Sequence, residues 1–484
     1  MALALLLPLG VSLLVAVLGR WATAELRDAA MVLGAAGLLP LVWQVAAVVL
    51  AGGRPGFAVA EIVPGFSLAF SVEPLGALFA LVAAFLWPVT ALYGVGYMRG
   101  HHESNQTRFF VCFSAAISAA LGVAFAANLI TLFVFYEVLT LSTWPLVTHH
   151  QNSRAQAAGR VYLGILLFTS VGLLLPAILW TSVAAGTTDF VLGGILPDDL
   201  GVWPAALLLG MFAFGIGKAA LMPFHRWLPN AMVAPTPVSA LLHAVAVVKA
   251  GVFSVLKVAL YTFGLDLLNT GASTWLMYAA ATTLLLGSLI ALTKDNLKER
   301  LAYSTISQLA YIVLGAAIAT PAAILGAALH IVMHAFGKIT LFFCAGAIDV
   351  AAHRKSVSQL DGLGRRMPLT FVAFGVGALS VVGLPPTGGA WSKWLLGVGA
   401  ADAGHPVLVG VLMLSSLLNV GYLLSIVARA FYLPPADDTA DAQIGEASAL
   451  TLVPPLISAV GCVVLFFTAP AIYDAMLPLV GGSP

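Results

Sequence analysis

AAILGAALHIVMHAFGKITLFFCAGAI, residues 322–348, is a run of small and apolar residues broken by three basic ones, His330, His334 and Lys338. A helix needs about 20 mainly apolar residues to cross the hydrocarbon core of a bilayer, and this stretch exceeds that. The three basic groups recur at i, i+4 and i+8, so a helix places them in one stripe about 12 Å long at 1.5 Å per residue. Each charge at the centre of a lipid-facing helix costs roughly 2.5–3.5 kcal/mol. The stretch therefore reads as a membrane-spanning helix whose titratable edge faces other helices.

Comparable stretches recur along the chain. Of 484 residues, 61% are hydrophobic and only 8% are charged, against about 25% charged in an average soluble protein. The expected fold class is all-α: a polytopic membrane protein of about 14 transmembrane helices. The spans lie near 2–18, 29–52, 74–97, 110–126, 129–147, 161–184, 204–246, 249–263, 273–292, 304–319, 322–348, 369–398, 405–430 and 450–477. No segment between spans is long enough for a soluble domain, so any site is built from the helices. The N-terminal MALALLLPLGVSLLVAVLGR has no basic leader, and reads as a first span rather than a cleaved signal.

A formal net charge of +1 gives no electrostatic pointer to nucleic acid or to an acidic partner. Cys112, Cys344 and Cys462 stand singly without metal spacing, so neither zinc nor an iron–sulfur cluster is expected. There is no Walker loop, no G-x-G-x-x-G opening a helix, and no haem or flavin pattern. No cofactor and no metal site is expected in this chain.

Lys and Arg are distributed asymmetrically about these spans. Connections after odd-numbered spans hold Arg20 and Arg27, Arg99 and Arg108, Arg154 and Arg160, then Lys294, Lys298 and Arg300, then Arg354, Lys355, Arg365 and Arg366, and Arg429. Connections after even-numbered spans hold only Arg54. By the positive-inside rule, both termini are expected on the non-cytoplasmic side. His101, His102, His149 and His150 fall in the cytoplasmic connections and are expected to be solvated. The KDNLKER run at 294–300 reads as an anchor on that face.

Lys218, Arg226, Lys249, Lys257, Lys338 and Lys393 remain inside the spans, and Glu137, in FVFYEVLTLS at 133–142, is the one acid at mid-helix depth. Glu73, at the start of the third span, and Lys257, near the end of its helix, read as interfacial, with the lysine snorkelling to the surface. Lys218 and His225 are seven apart, two turns along one helix face; His225 also lies beside Arg226, where it serves equally to steady a helix break. Ladders of titratable groups within a membrane suit a proton relay.

Two spans are interrupted. LMPFHRWLPNAMVAPTPVS at 221–239 holds four prolines after Lys218, and GLPPTGGAWSKW at 383–394 places Pro385, Pro386 and a glycine pair before Lys393. Broken helices at membrane depth are tolerated where they line a cavity or are buried in protein. A matching pair of breaks, each beside a lysine, suggests an inverted-repeat transporter plan.

GKAALMPFHRWLPNAMVAPTPVSALLHAVAVVKAG at 217–251 resembles the signature of proton-conducting antiporter-like subunits, which occur in the membrane arm of respiratory complex I, in related hydrogenases and in Mrp-type cation/proton antiporters. FVFYEVLTLSTWPLV at 133–147, KDNLKERLAYSTISQLAYIVLG at 294–315 and HIVMHAFGKITLFFCAGAI at 330–348 are similar to further parts of that family. The resemblance implies three N-terminal helices (1–109), five-helix inverted repeats over 110–263 and 273–430, and a last helix in 450–484. By position it implies that Glu137 tunes Lys218, that His243 and Lys249 lie on a central polar axis with His330, His334 and Lys338, and that Lys393 stands near the exit.

It further implies membership of a multisubunit assembly in a bacterial cytoplasmic membrane, with other membrane subunits as partners and protons, with Na⁺ or K⁺, as the transported ions. Lys393 fits the D-type member of an Mrp assembly, and the chain ends too soon for the lateral helix of the largest complex I member. A complex I, hydrogenase-linked or bicarbonate-uptake role is the alternative, and any redox chemistry then lies in other chains. Rival expectations are a stand-alone solute transporter and a purely structural, inactive member of a complex.

Overall fold

The computed structural model describes residues 1–63, 65–241, 246–435 and 444–482. Helices dominate, and several start where a polar side chain satisfies a free backbone N–H. The side chains of Asn128, Asn152, Asn296 and Thr320 accept from the amides of Thr131, Ala155, Glu299 and Ala323. Such caps are strongly preferred because the first four helical N–H groups have no partner within the helix.

Among the described residues, eleven helices are long and apolar enough to cross a membrane, or twelve if the pair Val247–Phe263 and Leu265–Ala272, bent by 93°, is one span. Two shorter apolar helices, Val202–Gly215 and Pro368–Val382, open the seventh and twelfth expected spans; the second stops at its expected break, whereas the first stops before Lys218, ahead of the proline cluster. The bent pair and these two shorter helices fall on the remaining expected spans, of which the seventh runs into residues outside those described. The molecule is an all-α polytopic membrane protein.

Boundaries moved where charge was accommodated inside a helix. The second span starts at Ala24, and its two pieces, Ala24–Ala36 and Leu38–Leu50, join at Gly37. Arg27 and Asp28 are thus buried in a helix, not carried on a connection. Asp28 is held by Arg27 at 2.7 Å and by Arg99 at 2.5 Å, which clamps the second span to helix Pro74–Gly100.

One element was not foreseen. Strands Gly56–Val63 and Phe66–Ser71 form an antiparallel hairpin, stitched to the loop after helix Gln106–Ala124 by Ser71 N–H to Phe125 O (2.8 Å) and Ala127 N–H to Ala69 O (3.0 Å). Two charges near its end, Glu73 and Lys257, are buried. Lys257 does not snorkel: its side chain is 1% exposed, ion-paired with Glu73 at 2.7 Å, and it donates to Ala126 O at 2.7 Å.

Helix Pro321–Ala352 forms the axis of the molecule. Its most apolar window is buried throughout, whereas helices such as Ala2–Trp21 and Pro406–Tyr432 are only 33% buried and leave broad apolar faces outward. Outer faces of that kind suit lipid, and the basic stripe of the 322–348 stretch lies inside.

Candidate functional site

The first break is built around Lys218. After Val202–Gly215 the chain makes a single 3-10 turn, Gly217–Ala219, then irregular turns up to Trp227–Asn230 and Thr236–Ala240. The seven-residue spacing of Lys218 and His225 therefore has no helical meaning, because no helix joins them. His225 is half-buried, with its ring 6.2 Å from Tyr303. Breaking the helix frees backbone groups, and Trp227 Nε1 donates to Gly217 O at 3.0 Å to satisfy one of them.

Lys218 is fully buried. Its Nζ donates to Tyr136 O at 2.8 Å and to Thr140 Oγ1 at 2.6 Å, and lies 3.1 Å from the Tyr136 ring centroid. Tyr136 and Thr140 are one turn apart on helix Leu129–Val147, and Glu137 is rotated about 100° from Tyr136 on that helix. Accordingly no ion pair joins Glu137 to Lys218 among the described residues. Both Glu137 carboxylate oxygens are buried with no hydrogen-bond partner among those residues.

Helix Val247–Val258 packs directly on this turn: a Cβ on Gly251 would overlap the backbone of Lys218 and Ala219. Only glycine permits so close an approach. It brings in Lys249, fully buried, whose Nζ lies 2.5 Å from His334 Nδ1. The ring of His334 stacks on His330 at 5.7 Å with 8° between planes, and His330 stacks on Tyr311 at 5.4 Å. His330 Nδ1 is 2.9 Å from Ser392 Oγ. His243 lies outside the described residues.

Here the basic stripe divides. Lys338 turns from the histidines toward Ser304, with Nζ donating to Ser304 Oγ at 2.5 Å, and Tyr422 O–H donates to the same oxygen at 2.8 Å. The histidine branch runs toward the second break, where Lys393 Nζ lies 4.5 Å from the Tyr311 ring centroid. Lys393 donates to Ser416 Oγ at 3.2 Å and to Val382 O at 3.1 Å. Val382 is the last residue of Pro368–Val382, so the lysine satisfies a carbonyl that the break released. The second helix piece then runs over Gly389–Asp402.

The structure thus joins Lys249, His334, His330 and Lys393 through short contacts and shared rings. Lys218 is in register with them through Gly251, and Lys338 lies on a side branch.

A family profile described as "NADH:quinone oxidoreductase/Mrp antiporter, TM" matches residues 126–419, which contain every one of these groups. The chain belongs to that family. It is an antiporter-like membrane subunit of the NADH:quinone oxidoreductase/Mrp antiporter family. It is 32% identical to an NADH-quinone oxidoreductase subunit N from Desulforudis audaxviator, over 83% of this chain and 82% of that protein. It is 33% identical to the A/B component of a probable K(+)/H(+) antiporter from Rhizobium meliloti, over 77% of this chain but only 38% of that protein. Among several other curated relatives, the chain spans about half of their length, 54% and 52% for two of them. In fold it resembles a chain of an Mrp complex from Dietzia (TM-score 0.85, 22% identity, covering 99% of this chain and 97% of that one). It likewise resembles a chain of respiratory complex I from Thermus thermophilus (TM-score 0.81, 22% identity, covering 99% and 97%).

Several polar members of this antiporter-like chain escaped sequence reasoning. Ser304, Gln308 and Tyr311 share one face of helix Leu297–Ile318, and both polar atoms of the buried Gln308 side chain lack a partner among the described residues. An i, i+4, i+7 pattern of Ser, Gln and Tyr beside the lysines was the available signal. His149 was expected in solvent, yet its side chain is 1% exposed, because the connection folds back under helix Gln106–Ala124, where Arg108 donates to His149 O at 2.8 Å.

Proposed function

We propose that this chain is a proton-translocating subunit of a multisubunit membrane complex, the D-type member of an Mrp assembly, with protons exchanged for Na⁺ or K⁺. The observation that carries this reading is the line from buried Lys249 through buried His334 and His330 to half-buried Lys393. Buried amines and imidazoles within the bilayer are costly and mark ion pathways, and imidazole exchanges protons near neutral pH. Structural neighbours that are themselves parts of assemblies support the partner subunits, and the Lys/Arg asymmetry supports a bacterial inner membrane with both termini outside.

Protons pass between Lys218 and Lys249 in the first five-helix unit, 110–263, and reach His330, Lys338 and Lys393 in the second, 273–430. His243 belongs to this line by position. Glu137 acts as the switch. Its carboxylate has no fixed partner, so a rotation that brings it within about 4 Å of Lys218 changes their interaction by about 4 kcal/mol at an effective dielectric near 20. That is about three decades of proton affinity.

A complex I-type or hydrogenase-linked role is the second reading. It is favoured by the near full-length similarity to an NADH-quinone oxidoreductase subunit N. In either assembly the chain moves protons and the driving reaction lies elsewhere.

Proton uptake by membrane vesicles carrying the intact assembly tests the reading. Lys218→Ala and Glu137→Ala are expected to abolish it while the chain still assembles, and Glu137→Asp to retain part of it. Normal uptake in either alanine variant rejects the relay. Co-purification in mild detergent then identifies the assembly.

A further inference from the structure

A polar cavity of about 610 Å³ opens on the face that carries the Lys/Arg-rich connections, and none of the relay groups above lines it. Its volume falls in the range of small-molecule sites, about 300–1,000 Å³. Five parts of the chain meet there: the end of helix Pro74–Gly100, the start of helix Ser153–Thr169 with the turn before it, residues 229–235 in the first break, the start of helix Leu297–Ile318, and the end of helix Pro321–Ala352. Two of these long helices begin at the cavity and two end there, so their dipoles oppose one another and the side chains set its sign.

Five Lys and Arg residues and three carboxylates line the cavity, an excess of two positive charges. Each carboxylate already has a basic neighbour. Glu299 Oε2 lies 3.7 Å from Lys294 Nζ, Asp349 Oδ1 lies 3.7 Å from Lys355 Nζ, and Glu103 Oε2 lies 3.5 Å from His150 Nδ1. Arg154 and Lys298 have no carboxylate within ion-pair distance among the described residues. Lys298 Nζ donates to Ala234 O at 2.6 Å, which uses one of its three protons. Arg154 is exposed, and none of its five N–H groups has a hydrogen-bond partner among the described residues. The two cations are near enough to repel one another, and an anion between them relieves that repulsion.

One edge of the cavity continues along a helix. Ala157 and Val161 line it, and Ala157, Val161, Gly164 and Phe168 of helix Ser153–Thr169 are all exposed. Their i, i+4, i+7, i+11 spacing places them in one stripe, about 16 Å long at 1.5 Å per residue. The helix belongs to the apolar stretch Ser153–Ala185, which is long enough to cross a membrane. At Gly164 no atom lies within 4 Å of where a Cβ would stand, so the stripe is a shallow apolar track between Val161 and Phe168. A cationic chamber at the membrane surface thus leads into an apolar track that descends along the outside of the bundle.

We propose that this cavity binds the phosphate headgroup of an anionic phospholipid, clamped by Arg154 and Lys298, with an acyl chain lying along the stripe at 157–168. The proposal goes beyond the proton-translocating reading and does not depend on it. A guanidinium meets phosphate through parallel N–H···O bonds, and an ammonium adds a compact point charge. Basic pockets between membrane helices on the cytoplasmic side take anionic headgroups in this way, and the Lys/Arg asymmetry assigns the cavity to that side. The surplus charge favours a net anionic headgroup over a zwitterionic one. The apolar track favours a lipid over free phosphate, which has nothing to place there, and over an acidic protein segment, which has no need of it. Lys298 also holds Ala234 O, so the bound headgroup fixes the lysine that braces the first break.

The test uses the intact assembly, purified in detergent and stripped of lipid. It is titrated with dioleoyl phosphatidylglycerol, dioleoyl phosphatidylcholine, glycerol phosphate and inorganic phosphate, with melting temperature and lipid retained in native mass spectrometry as readouts. Phosphatidylglycerol is expected to raise the melting temperature saturably, phosphatidylcholine to leave it unchanged, and the two soluble phosphates to bind far more weakly. Arg154→Gln is expected to weaken phosphatidylglycerol binding about tenfold, and Arg154→Lys to weaken it less. Arg366→Gln removes the same charge from an exposed site outside the cavity and is expected to change nothing. Lys298→Gln also loses the bond to Ala234 O, so Arg154→Gln is the deciding variant. Unchanged binding in Arg154→Gln, or an equal loss in Arg366→Gln, overturns the proposal. Inorganic phosphate matching phosphatidylglycerol makes this a site for a free oxyanion and overturns the lipid assignment. An intact assembly indifferent to phosphatidylglycerol overturns it too, as when an acidic segment of a partner subunit fills the cavity.

Discussion

Lys249 Nζ and His334 Nδ1 lie 2.5 Å apart, one on helix Val247–Val258 and the other on helix Pro321–Ala352, 85 residues later in the chain. This contact joins the two parts of the proposed relay, Lys218 and Lys249 on one side and His334, His330 and Lys393 on the other. A lysine and an imidazole cannot share such a contact while both are charged without strong repulsion, so a proton on one disfavours a proton on the other. Replacing His334 with Gln keeps a polar side chain but removes the titrating ring. Proton uptake is expected to fall about 100-fold with assembly intact, and uptake near the wild-type rate shows that protons do not cross between the units here.

The Glu73–Lys257 pair is read as structural. Glu73 stands just before Pro74, at a helix N-terminus, where a carboxylate also opposes the helix dipole. Removing one partner leaves a buried charge and is expected to cost about 3–5 kcal/mol. Glu73→Leu combined with Lys257→Met is expected to recover most of it. Thermal unfolding of the two single variants and the double variant in detergent checks this, and equal losses in all three contradict it.

Gly251→Ala places a methyl group against the backbone of Lys218 and Ala219, which cannot yield without moving the 3-10 turn. A destabilisation of about 1–3 kcal/mol is expected, together with loss of uptake because Lys218 shifts away from Thr140. Gly10→Ala is the control, since no atom lies within 4 Å of a Cβ there. Comparable melting temperatures for the two variants argue against the close approach.

Acid is expected to weaken the fold through His149, in the turn after helix Leu129–Val147. Burial, then Arg108 and then His150, lower its imidazole from 6.5 to about 4. A hydrogen bond with the Ser104 backbone opposes this but does not prevail. In the unfolded chain the ring takes up its proton near 6.5. Neutral His149 therefore supports the fold fully above about pH 6.5, and that support declines as pH falls and is gone near pH 4. The change is up to about 3 kcal/mol. Melting temperatures at pH 7 and pH 5 check this: His149→Gln is expected to lose less stability over that interval than the wild type.

Much of the architecture was legible in the chain itself. Membrane helices must satisfy their own backbone and keep apolar residues toward lipid, so span positions follow from composition alone. Proline and glycine clusters likewise located both breaks, because proline cannot donate to a helix ladder. The spacing of His330, His334 and Lys338 was legible as one stripe for the same local reason.

What the sequence by itself determined, then, was how deep each titratable group lies and on which helix. Only the tertiary structure decided what each group faces. Spacing gives the period of a helix but neither its rotation about its axis nor its neighbour. Hence Lys338 left the histidine branch for Ser304, Glu137 turned aside from Lys218, and Lys257 was buried against Glu73 instead of reaching the surface. The cavity beside Asp349 is lined from five segments distant in sequence, which only their packing brings together.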